Sequence, residues 1–197
     1  DGVESIGEYA FSRITNSSGY YDYNNCSYPN LKNVVFSSTV KNIGTYSFSG
    51  LSSLNNIDLS EIENIGNYAF KNCDLLTEIN IPASVAYIGK SAFDDCDLLE
   101  SITLHEGLEQ IAEYGLANLP ALKSLTIPDS VTSLGNHFIA EDLALTYLKF
   151  GGGVSSLTYQ QTHVSRNYGS QPALETVVFG DGVESIGEYA FSRITNS

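Results

Sequence analysis

Residues able to do chemistry are sparse in this chain and do not group. The three histidines, His105, His137 and His163, stand far apart, and none belongs to the His-Glu-x-x-His pair that holds zinc on a helix. There is no Gly-x-Ser-x-Gly elbow and no Cys-x-x-Cys pair, the spacings that expose a nucleophile or a redox couple. Gly151-Gly152-Gly153 lacks the Lys-Ser/Thr that completes a phosphate cradle, and reads as a turn. Asp94-Asp95-Cys96-Asp97 does not follow the alternate spacing of a calcium loop, and reads as a solvated acidic edge. No catalytic residue, metal site or cofactor is assigned, and the chain is not expected to be an enzyme.

Contact chemistry is better represented. Tyr20, Tyr21, Tyr23 and Tyr28 crowd into a segment rich in Ser, Gly and Asn, near residues 15–29, and Arg166 and Tyr168 lie in a second segment near 163–172. Tyrosine presents a large amphipathic surface at small entropic cost, which suits recognition. Asn16-Ser-Ser and Asn25-Cys-Ser also fit the glycosylation acceptor pattern.

What positions these segments is a repeat. Residues 1–17 and 181–197 are identical, and between them a looser unit recurs, with Phe11, Phe48, Phe70, Phe93, Leu116, Ile139, Thr162 and Phe191 in register. The steps are 37, 22, 23, 23, 23, 23 and 29 residues, together the 180-residue offset between the identical ends. The long first step and the long last step hold the two insertions. Leu76 to Ile81, Leu99 to Leu104 and Leu122 to Ile127 end in apolar/polar alternation, the mark of a short strand with one buried face. Pro82 and Pro128 close such strands, because proline cannot donate to a ladder. Val85 to Gly89 forms a second extended segment, and Ala92-Phe93, Cys96 and Leu99 have the spacing of a short helical turn. No such unit buries its apolar side chains alone, so the units must stack.

The expected fold is therefore a repeat solenoid of about eight turns of ~23 residues. Each turn carries a short parallel-sheet strand, a second short extended segment and a short helical turn. Phe11, Phe48, Phe70, Phe93, Ile79, Ile102 and Leu125 are expected in its core, with Cys73 and Cys96 as buried free thiols one turn apart. Equivalent side chains in a stack run parallel, which disfavours a Cys73–Cys96 bridge. Cys26, inside the first insertion, is the thiol expected to react. The outward strand positions form two rows, Asn33, Asn56, Glu78, Ser101, Ser124, Tyr147 and Thr176, and two places on Val35, Asp58, Asn80, Thr103, Thr126, Lys149 and Val178. Tyr147 is the strongest anchor among them.

The run IPASVAYIGKSAFDDCDLLESITL, residues 81–104, closely resembles the BspA-like class of leucine-rich repeats. The resemblance extends along the chain, with the repeats at 131–150 and 154–179 degraded. It implies secreted or surface proteins, extracellular or at the cell surface, linked with adhesion to host or neighbouring cells. It carries no ligand-binding residue across, because the motif is made of core positions.

Composition agrees. The 197 residues hold 23 acidic against 9 basic side chains, a net charge of -14, which repels nucleic acid and anionic lipid. No apolar run is long enough to span a membrane. The expected organisation is a single uncapped solenoid over 1–197, an internal piece of a longer tandem array with a 180-residue super-repeat. The function expected is a non-enzymatic adhesion or protein-binding module that engages a protein ligand or a cell surface. Its alternative is a structural protein assembling head to tail into fibres.

Overall fold

The computed structural model describes residues 2–12, 28, 30–162, 173–188, 190 and 191. Their strands fall into two columns, both parallel. One column is made of the second extended segments: β1 (Ser5–Ile6), β3 (Asn42–Ile43), β5 (Asn64–Ile65), β7 (Tyr87–Ile88), β9 (Gln110–Ile111), β11 (Ser133–Leu134), β13 (Ser156–Leu157) and β15 (Ser185–Ile186). The other holds β2 (Asn33–Val34), β4 (Asn56–Ile57), β6 (Glu78–Ile81), β8 (Ser101–Leu104), β10 (Ser124–Thr126), β12 (Tyr147–Phe150) and β14 (Thr176–Phe179). Each coil pairs with the coil before and the coil after, in the order β1-β3-β5-β7-β9-β11 for the longest sheet. The two-residue segments thus build the more continuous ladder, and the longer strands sit in the sheets β2-β4, β6-β8 and β10-β12-β14.

The glycines that follow β3, β5, β7 and β11, namely Gly44, Gly66, Gly89 and Gly135, set how closely coils approach. A Cβ on Gly89 would stand 2.5 Å from the Gly66 carbonyl, and one on Gly66 would stand 2.8 Å from the backbone of Gly44. Backbone lies on backbone there, so a side chain has no room.

The one-turn helix expected after Gly89 does not form. The chain instead makes linked turns in which two positions of each coil adopt left-handed backbone: Tyr46 and Gly50, Tyr68 and Asn72, Ser91 and Asp95, Tyr114 and Asn118, His137 and Glu141. A right-handed helix cannot hold left-handed residues. The alternation redirects the amides. Tyr68, Phe70 and Asn72 donate to the carbonyls of Lys90, Ala92 and Asp94 in the next coil, whereas Lys71 and Cys73 donate back three residues. A helix would keep all of those bonds to itself and leave the coils unjoined on this side. The one helix among the described residues, α1 (Tyr159–Thr162), lies in the degraded seventh unit. There the ladder between β11 and β13 is interrupted by a side chain: the Gln161 amide donates to the Leu134 carbonyl at 2.8 Å and accepts from the Thr158 N–H at 2.8 Å.

Inside the coils lies one continuous apolar column. Phe48, Phe70, Phe93, Ile79, Ile102 and Leu125 are buried in it. Phe11, Phe48, Phe70 and Phe93 stack face to face at 5.1, 5.4 and 5.3 Å. Phe11 is only half-buried, because among the described residues it has a neighbouring coil on one side only. Cys73 and Cys96 are free and buried. Each Sγ donates to a carbonyl of the preceding coil, Cys73 to Phe48 at 3.3 Å and Cys96 to Phe70 at 3.2 Å. Burial pushes the Cys96 thiol far up, so no thiolate is available for chemistry.

Candidate functional site

Strand alternation brings the outward rows into line. Asn33 faces Asn56, Glu78 faces Ser101, and Ser124, Tyr147 and Thr176 follow one another, with Asn80 beside Thr103 and Thr126 beside Lys149 and Val178 in the second row. Equivalent side chains therefore stand one sheet spacing apart, about 4.8 Å. Tyr147 is half-buried in β12 between Ser124 and Thr176. Val35 is 90% exposed.

The face is not uniform. The coil from Phe48 to Phe70 is one residue shorter than its successors, and it turns early, with the Ser60 amide donating to Asp58 Oδ1 at 2.9 Å. That bond holds the exposed Asp58 carboxyl below its ordinary pKa. Strands β4 and β6 belong to separate sheets, and a depression of about 220 Å³ opens at this junction, walled by Asn56, Glu78, Asn80, Ser101 and Thr103 and floored by Ile57 and Ile79. The His105 ring nitrogen Nε2 is 2.9 Å from Asn80 Oδ1 at its margin.

Of the insertion residues, Tyr28 is described, 48% exposed, with its ring edge-on to Phe11 at 5.8 Å. The first insertion thus returns to the stack through an aromatic contact. Tyr20, Tyr21, Tyr23, Cys26, Arg166, Tyr168 and His163 lie outside the described residues, as do Asn16 and Asn25. His137 stacks on Tyr114 at 5.2 Å as a member of the tyrosine column.

Two polar features were not anticipated from sequence. Asp94 is no part of a solvated edge: it is buried. The Lys71 ammonium bridges it at 2.6 Å and Asp95 at 2.5 Å, and Asn118 Nδ2 donates to its other oxygen. Desolvation opposes the charge on Lys71, yet the hydrogen bonds and charges of Asp94 and Asp95 prevail and raise its pKa. Asp142 occupies the column of Cys73, Cys96 and Leu119 and is fully buried. Its Oδ1 accepts the Leu119 N–H at 2.8 Å, and its Oδ2 has no hydrogen-bond partner. Burial holds its carboxyl well above the usual carboxylate range; the Leu119 N–H works against this and the charges of Asp94 and Glu141 add to it. The signal for both was present in the sequence, as a charge in a column otherwise apolar or paired with a lysine one coil away.

Among the described residues no group of His, Cys, Asp and Glu is placed to hold a metal ion. No described helix is long and apolar enough to cross a membrane. The geometry presents a surface.

A family model for the BspA-type leucine-rich repeat region matches in six copies, over residues 16–146 and 162–197. The chain belongs to the BspA-type leucine-rich repeat family. Two solved structures share the fold of this BspA-type chain. One is a leucine-rich cell surface protein from Faecalibacterium prausnitzii A2-165, 22% identical, with a TM-score of 0.63 over 96% of this chain and 62% of that one. The other is the pneumococcal vaccine antigen PcpA, 24% identical, with a TM-score of 0.55 over 98% of this chain and 54% of that one. The BspA-type chain thus spans less than two thirds of either. No curated protein matches it.

Proposed function

We propose that this BspA-type chain is a non-enzymatic module, secreted or displayed at the cell surface, that binds a protein ligand or the surface of a host or neighbouring cell. The observation that carries this reading is the register of the stack. Backbone hydrogen bonds join successive coils at both strand columns and at the turns, giving a scaffold that holds the strand-face side chains in fixed rows. Recognition is assigned to Tyr20, Tyr21, Tyr23, Tyr28, Arg166 and Tyr168 of the insertions, with Tyr147 as anchor on the strand face; inserted loops on a repeat scaffold are where such proteins carry contacts. The likeness to a cell surface protein and a vaccine antigen is in keeping with an extracellular place. Replacing Tyr20, Tyr21, Tyr23 and Tyr28 together with Ser should abolish binding of the chain to host cells or extracellular matrix proteins while the melting temperature stays within a few degrees. Undiminished binding by that variant would refute the loop assignment.

A second reading, end-to-end assembly, is favoured by one observation. Residues 2–11 and 182–191 have the same sequence but use opposite edges. In the first copy the Glu4 and Ile6 carbonyls accept from the following coil; in the second the Glu184, Ser185 and Gly187 amides donate to the preceding one. One segment is thus seen pairing on both sides.

A further inference from the structure

The strand face carries charge at the level of the chain as a whole. The chain carries -14 over 197 residues, and the fourteen outward strand positions hold two carboxylates, Asp58 and Glu78, and one ammonium, Lys149, a net of -1, so an anionic ligand is opposed both by the chain and by the face itself. Eight of the fourteen are neutral amide or hydroxyl side chains: Asn, Ser or Thr. A protein partner is held chiefly by buried aromatic and arginine anchors; this face has Tyr147 and no arginine. Asn, Ser and Thr side chains each offer a donor and an acceptor. Such pairs match the hydroxyl groups of a sugar, which likewise donate and accept.

We infer that the strand face binds a neutral oligosaccharide laid along the solenoid axis, one sugar of which sits in the depression between β4 and β6. Its walls place the Glu78 carboxylate beside the Asn80 amide two positions on, with Ser101 and Thr103 in register across the sheet. A carboxylate next to an amide accepts from one hydroxyl and donates to its neighbour on the same ring. The half-buried Ile57 offers apolar surface at the floor, above the buried Ile79, and there the C–H face of a pyranose would replace water. At about 220 Å³ the depression is smaller than the roughly 300–1,000 Å³ of sites for drug-sized molecules. It suits a single ring rather than a fused cofactor. The rows add periodicity: successive coils repeat about every 4.8 Å, close to the length of one sugar in an extended chain, so each further sugar meets another Ser, Thr or Asn. Three coils beyond Glu78, Tyr147 offers a ring for a sugar to stack on. This ligand shares Tyr147 alone with the protein partner proposed above and does not depend on the insertion loops.

The test uses the intact chain on an array of neutral and acidic oligosaccharides of three to eight sugars, followed by titration calorimetry with the best neutral series. Binding should favour neutral over acidic sugars and tighten with length until Tyr147 is reached. Glu78→Ala should weaken binding by about tenfold, the loss of one charge-assisted hydrogen bond. Glu78→Gln should retain part of it. Tyr147→Ala should leave trisaccharide binding intact and remove the gain from longer chains. Both positions are on the outer face, Glu78 exposed and Tyr147 half-buried, so melting temperatures should change by no more than a few degrees. The Tyr-to-Ser loop variant should bind sugar normally, which separates this site from the loops. Absence of any neutral-sugar binding, a preference for acidic sugars, or affinity indifferent to Glu78 and Tyr147 would overturn the proposal.

Discussion

Asp142 shows how a single side chain can sit at odds with its column. Its neighbours in that column are a leucine and two thiols, and the thiols satisfy themselves by donating to a carbonyl one coil back. A carboxylate cannot donate; a protonated carboxyl can. Burial therefore favours the acid form, and the folded pKa is raised above the unfolded value of about 3.9. The sign follows from proton counting: between the unfolded and the folded pKa the native state holds the extra proton, so stability is full below about pH 4 and falls as pH rises, by at most about 1.4 kcal/mol per unit. Asp142→Asn keeps the shape and removes the titration. Urea midpoints measured upward from pH 5 should show wild type losing ground to this variant until the folded carboxyl ionises; parallel curves would show that Asp142 is ionised in the fold. Phe93 is the opposite case, a side chain wholly in keeping with its column. Phe93→Ala should destabilise by roughly 3 to 5 kcal/mol through lost transfer energy and an unfilled cavity, and a loss below about 1 kcal/mol in denaturant unfolding would mean that its neighbours collapse into the space.

At the scale of the element, the strands were legible because their alternation is a period of two, and the observed pairs repeat the rows read from the sequence. The stretch beginning at Ala92 misled for a physical reason. Apolar residues three apart fit one helical turn, but they equally fit linked turns, and only the backbone handedness separates the two. The trace of that handedness is the column Gly50, Asn72, Asp95 and Asn118, residue types that tolerate left-handed backbone. Its companion column is unusual in holding tyrosines at φ near 55°. Their rings form a ladder, Tyr9 on Tyr46 at 5.0 Å and Tyr46 on Tyr68 at 4.4 Å, resumed at Tyr114 and His137. Ser91 is the missing rung, and it already has the required backbone, φ 49°. Ser91→Tyr should bridge Tyr68 and Tyr114 and raise stability by about 1 kcal/mol, with Ser91→Ala as the control that lacks a ring. A lower denaturant midpoint for the tyrosine variant would show that the ladder does not accept a ring in this coil. The strand-face depression was beyond the sequence reading for a different reason: it lies where two sheets part beside a coil one residue short, and the sequence shows the deletion without showing the parting.

The whole molecule is a stack whose two terminal strands differ in what they leave open. Strand β1 pairs with β3 on the edge toward the following coil, and β15 pairs with β13 on the edge toward the preceding one. Among the described residues, then, β1 leaves one edge open and β15 the opposite edge, each carrying amide donors and carbonyl acceptors, and together they are the two sides of a parallel ladder. Apolar side chains accompany them, Val3 55% exposed at the first end, Ile186 49% and Phe179 37% at the second. Unpaired edges with exposed apolar residues invite pairing. Pairing the open edge of one end with the opposite edge of the other joins unlike surfaces, a heterologous contact, so it propagates rather than closing into a two-fold dimer. The 197-residue chain should therefore associate head to tail, with an average mass in multi-angle light scattering that climbs with concentration and no plateau at the dimer. Ile186→Lys places a charge in the contact while remaining at the surface, and should return the chain to a monomer without lowering its melting temperature. Removal of residues 181–197 tests the same contact differently, since it uncovers Leu157 and should alter the association rather than leave it unchanged. A strict monomer at high concentration for the intact chain would refute end-to-end assembly, and the identical segments would then record gene duplication alone.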